Sequence, residues 1–61
     1  MFIKIKGHII NLDHITIISI NENVIIFQQG KDIIFEAIYT TPENLKVDLK
    51  KIEKLIGVTI I

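Results

Sequence analysis

Val24-Ile25-Ile26-Phe27-Gln28-Gln29-Gly30-Lys31-Asp32-Ile33-Ile34-Phe35 reads as two β-prone runs joined by a turn. β-Branched and aromatic residues fill both runs, and Gly30 supplies the positive φ that short hairpin turns need. With Gln29-Gly30 as the two-residue turn, Phe27 is expected opposite Asp32, Ile26 opposite Ile33 and Val24 opposite Phe35. Directly opposed residues share a face. One face then carries Val24, Ile26, Ile33, Phe35, Ala37 and Tyr39. The other carries Ile25, Phe27, Ile34 and Ile38, together with Asp32 and Glu36.

Upstream, Phe2 to Lys6 alternates Ile3 and Ile5 with Lys4 and Lys6, the period of a half-buried strand. Gly7 marks a tight turn into His8-Ile9-Ile10-Asn11, and Asn11-Leu12-Asp13-His14 carries side chains that favour a bend or bulge. Ile15 to Ile20 is the next strand, followed by the turn Asn21-Glu22-Asn23. That strand places Ile15 and Ile17 on one face and Ile18 and Ile20 on the other; the uncertain loop length leaves the assignment free to flip by one residue. Downstream, Thr41 suits an N-cap, Pro42 the first helical position and Glu43 the positive end of the helix dipole. Leu45, Leu49, Ile52 and Ile56 form an apolar stripe broadened by Leu55, and Gly57 suits the C-terminal cap. The fold expected is α+β: a small antiparallel β-meander of four to five strands over residues 2–39, then one C-terminal α-helix over 42–56. A short β-prone tail, 58–61, is expected to add to a sheet edge or an interface. The 61 residues form a single domain.

Seventeen of the thirty apolar residues are isoleucine, and seven lysines balance seven carboxylates. The chain is too hydrophobic to be disordered. Without cysteine it has neither a disulfide framework nor a Cys-ligated zinc site. Without arginine or net positive charge it does not resemble a dedicated DNA-binding domain. The longest uninterrupted apolar runs are four residues, against about twenty for a membrane helix, and the alternating start lacks the apolar core of a signal peptide. A cytoplasmic protein with no membrane contact is expected.

Both sheet faces in this reading are apolar, whereas an antiparallel sheet in a small soluble monomer normally keeps one face wet. One helix covers one face. The other would expose an apolar patch of a size that monomers rarely tolerate. Self-association is the expected resolution, a two-fold dimer first, with a small closed barrel or a larger ring as alternatives. The candidate interface is Ile18, Ile20, Ile25, Phe27, Ile34, Ile38, Ile60 and Ile61. The function expected is a non-enzymatic, self-associating interaction or accessory module, its partner a second copy or another protein. The alternative is nucleic-acid binding through Lys46, Lys50, Lys51 and Lys54 on the outer helix face. Glu43, Asp48 and Glu53 share that helix and weigh against a phosphate track.

No catalytic, cofactor or metal site is expected. His8, Asp13 and His14 have ligand chemistry, but Asp13 and His14 are adjacent and point apart in extended chain. Asp32 and Glu36 lie ~13 Å apart along a strand, too far for a carboxylate pair acting on one bond.

The run from Gly7 to Leu55 resembles that of small flagellar proteins of the FlbD type and similar short phage or bacterial proteins. The matching features are the glycine turn at Gly7, Ile10-Asn11-Leu12-Asp13 leading to Ile15, the Val24–Lys31 hairpin with its Gly-Lys turn, and the short C-terminal helix. The resemblance implies a small non-enzymatic accessory protein and transfers no site residue. The isoleucine load on both faces and the apolar tail depart from it.

Overall fold

A computed structural model of the chain describes residues 1–57. The tail expected at 58–61, with Ile60 and Ile61 of the candidate interface, lies outside the described residues. The order is β1 (Phe2–Ile5), β2 (His8–Asn11), a 3-10 turn (Leu12–His14), β3 (Ile17–Asn21), β4 (Val24–Gln29), β5 (Asp32–Ile38) and α1 (Pro42–Ile56). The fold is α+β, and the helix fills the span its caps predict. Thr41 Oγ1 accepts from the Asn44 amide, Pro42 opens the first turn, and Gly57 closes the last at φ 74°.

The five strands divide into two antiparallel sheets, β1-β2 and β3-β4-β5. The break falls at the 3-10 turn, where Asn11 Oδ1 accepts from the Asp13 amide and folds the chain away from the ladder. The β1-β2 hairpin closes through Lys6 and Gly7, both at positive φ, as a primed turn requires. Glycine meets that demand freely. Lys6 does not, and its side chain explains why it stays: the ammonium donates to the Ile38 carbonyl at 2.7 Å and lies 4.8 Å from the Tyr39 ring. The strained residue thus ties the hairpin to the end of β5.

Hairpin, three-stranded sheet and helix share one core. Ile5 and Ile10 from the hairpin meet Ile25, Phe27 and Ala37 from the sheet and Leu45 and Ile52 from the helix. The inner sheet face is therefore covered twice, by α1 and by the hairpin, whose His8 ring packs at a tilt against Phe35 with centroids 4.6 Å apart. The hairpin's other face, with Phe2, Lys4 and Ile9, is exposed.

The β4-β5 register differs from the one expected in two ways. The turn is Gly30-Lys31, so that Gln29 pairs with Asp32. Thr16 holds it there, its hydroxyl accepting from the Gly30 amide at 2.8 Å. A β-bulge then shifts the ladder: Gln28 pairs with Ile33, but Phe27 pairs with Phe35, and Ile34 is the extra residue. A slip of one residue exchanges faces. Beyond the bulge, Phe35 and Ala37 turn inward with Ile25 and Phe27, while Glu36 and Ile38 turn outward with Ile26 and Val24.

Candidate interaction surface

The outer face of β3-β4-β5 is built of three cross-strand rows. Asn21, Val24 and Ile38 form one; Ser19, Ile26 and Glu36 the middle one; Ile17, Gln28 and Ile33 the third. No element covers these rows among the described residues. Ile38 is 66% exposed, Ile33 56%, the bulged Ile34 51% and Ile17 47%. Val24 and Ile26 are half-buried by their neighbours. Glu36 is the single charged side chain in the rows.

This arrangement divides the residues that the sequence pattern grouped as one interface. Ile25 and Phe27 are fully buried inside the chain, and Ile18 packs half-buried against the same core. Ile20 pairs with Ile25 on that inner face, at the open edge of β3. Ile34 and Ile38 are exposed as expected of an interface residue, and the bulge is what separates Ile38 from Phe27. Ile17, Val24, Ile26 and Ile33 belong to the outer face instead. A signal for them was present in the doubled isoleucines. A strand crossing of Ile17-Ile18 or Ile25-Ile26 must send one side chain to each face.

The helix lysines Lys46, Lys50, Lys51 and Lys54 are all exposed. Lys51 pairs with Asp48 at 3.6 Å. His8 and Asp13 are drawn into separate contacts, His8 onto Phe35 and Asp13 to the Met1 ammonium at 3.0 Å. The described residues hold no group of three or more potential metal ligands. An open cleft of about 270 Å³ lies between the 3-10 turn, the start of β3 and the helix end, lined by Leu12, Ile15, Thr16, Ile18 and Ile56.

A polar contact fastens the helix to the residue that follows β5. The Tyr39 hydroxyl donates to Asp48 Oδ2 at 2.6 Å. Burial, then this bond and the carboxylate's charge, push the phenol well above its ordinary value of 10.0. The folded chain thus holds the phenolic proton more tightly than the unfolded one. The associated stability is full below pH 10 and is lost as pH rises from 10 toward the folded value. Tyr39→Phe is expected to cost about 1–2 kcal/mol at pH 7. Denaturant melts at pH 7 and pH 11 should show the gap between variant and parent closing. A gap that stays constant would mean the hydroxyl bond is not what fastens the helix at Tyr39.

No protein-family model matches the chain, and no match to it was found among curated proteins or solved structures. Within the described residues no helix is long and apolar enough to cross a membrane.

Proposed function

We propose that this chain is a small non-enzymatic interaction module that self-associates through the outer face of its three-stranded sheet. The observation that carries the reading is the apolar composition of that face: Ile17, Ile33, Ile34 and Ile38 stand about half or more exposed around Val24 and Ile26. Such a patch is on the order of several hundred Å², at the upper end of what a monomer presents to water. Five of the nine residues in the rows are apolar, and of the four polar ones, Asn21, Ser19, Gln28 and Glu36, only Glu36 is charged. Zero net charge also removes the long-range repulsion that would oppose two copies meeting. An accessory role in the cytoplasm is part of the same proposal, in keeping with a chain free of cysteine.

Sedimentation equilibrium at micromolar to tens-of-micromolar concentration tests it, that being the range expected of a small interface. The expected result is a concentration-dependent mass above the 7.0 kDa of one chain. A single 7.0 kDa species throughout would end the proposal. The lysine row Lys46-Lys50-Lys54, exposed at i, i+4 spacing along α1, supports nucleic-acid binding as a second reading. Tight binding to labelled DNA or RNA with a steep salt slope would favour it.

A further inference from the structure

The occupant of the outer face is, on the reading above, a second copy of this chain, and the cross-strand rows constrain how it sits. We infer that the two-fold axis of the dimer runs along β4, so that β3 of one copy lies over β5 of the other. The Ser19 hydroxyl of each copy then donates to the Glu36 carboxylate of its partner.

Charge and symmetry together select the seating. Two identical faces stacked about ten ångströms apart, the usual ~10 Å between packed sheets, are related by an axis lying in the plane between them. With the strands of the two sheets aligned, as in most sheet-on-sheet packings, that axis runs along the strands or across them. If it runs across, β5 covers β5, and a central axis sets Glu36 against Glu36. Two carboxylates would then meet in a site being stripped of water, which is costly. If the axis runs along β4, each row covers itself in reverse order. Glu36 then meets Ser19, because Ser19, Ile26 and Glu36 form one row. A hydroxyl is a donor and a carboxylate an acceptor, so the one charge on the face gains a partner. In the same arrangement Ile33 covers Ile17, and Ile26 meets its own copy at the centre. Gln28 also meets its own copy, and a primary amide both donates and accepts. The usual offset of about 30° between packed sheets is accommodated without changing these pairings.

The area is small, at or just under what a specific interface needs. Three strands at ~4.8 Å and five residues at ~3.4 Å make a face of about 14 by 17 Å. With side-chain relief this offers roughly 400–500 Å² per copy, close to the lower bound of about 1,000 Å² in total for a specific interface. A micromolar dimer, not a permanent one, is the form expected.

The chain contains no cysteine, so single-cysteine variants report proximity cleanly. Ile26→Cys, Ser19→Cys and Glu36→Cys are made separately, checked for folding by circular dichroism, and treated with a short bis-maleimide. Ile26→Cys is expected to cross-link with itself. An equimolar mixture of Ser19→Cys and Glu36→Cys is expected to give a cross-linked dimer, and Glu36→Cys alone none. Efficient cross-linking of Glu36→Cys alone, with no gain in the mixture, would overturn the axis while leaving self-association through this face intact. A dimer in sedimentation that Ile26→Cys fails to cross-link would overturn the seating and move the interface elsewhere. A monomer at every concentration would remove the inference together with the reading it rests on.

Discussion

Phe27→Ala is expected to leave the chain without a stable folded state at 25 °C. Phe27 is the largest fully buried side chain, at the middle of the central strand, with the Phe35 ring 6.1 Å away. Helix and hairpin close over it from the inner side. Truncating a buried phenylalanine costs about 3–5 kcal/mol, transfer and cavity together. Total stability at 0.05–0.15 kcal/mol per residue comes to roughly 3–9 kcal/mol for a chain of this length. The loss is comparable with the whole. Ile33→Ala, on the exposed outer face, is expected to change stability by no more than about 0.5 kcal/mol in the monomer. Thermal melts followed by circular dichroism distinguish the two. A cooperative Phe27→Ala melt displaced by only a few degrees would mean that Phe27 is not the centre of the core.

The sequence pattern already set Phe27 and Ile33 on opposite faces, but not which face is the core. The helix was legible because its signals are local. Thr41-Pro42 and Gly57 bracket an apolar stripe, and each acts within one turn of itself. The strands were legible from β-branched content, and the turn at Gly7 from its need for positive φ. Register was not legible. A glycine serves as the first or the second residue of a two-residue turn, and here it is the first, held by Thr16 from fourteen residues away. The bulge at Ile33-Ile34 leaves no mark because sliding one isoleucine past another changes no hydrophobicity. Yet that single slip decides whether Phe35 and Ala37 face the core or the solvent. The bend at residues 11–14 that parts the two sheets was legible because it is local, but the seat of the hairpin on the sheet was not. That seat rests on contacts between hairpin and sheet that lie far apart in sequence, such as Lys6 with Ile38.

The same geometry makes the outer face separable from fold stability. Ile26→Lys is expected to leave the monomer folded and to weaken self-association by 100-fold or more. Ile26 is central on β4 but turned away from the core, opposite Ser19 and Glu36. In the monomer a lysine there keeps its stem on the sheet and its ammonium in water. In the dimer two such ammonium groups would meet at the two-fold axis, in the driest part of the contact. Leaving even one unpaired charge in that position costs at least about 3 kcal/mol, equivalent to more than two decades in the dissociation constant. Lys50→Ala, on the helix face turned away from the sheet, is expected to alter association little. Sedimentation of the three proteins at equal concentration, with a circular-dichroism melt of each, reads both quantities. Equal association of Ile26→Lys and the parent would exclude the outer sheet face as the contact. An unfolded Ile26→Lys would instead show that this face is needed for the monomer's own stability, and Ile38→Lys, at the end of β5 and more exposed, would then carry the same test of association.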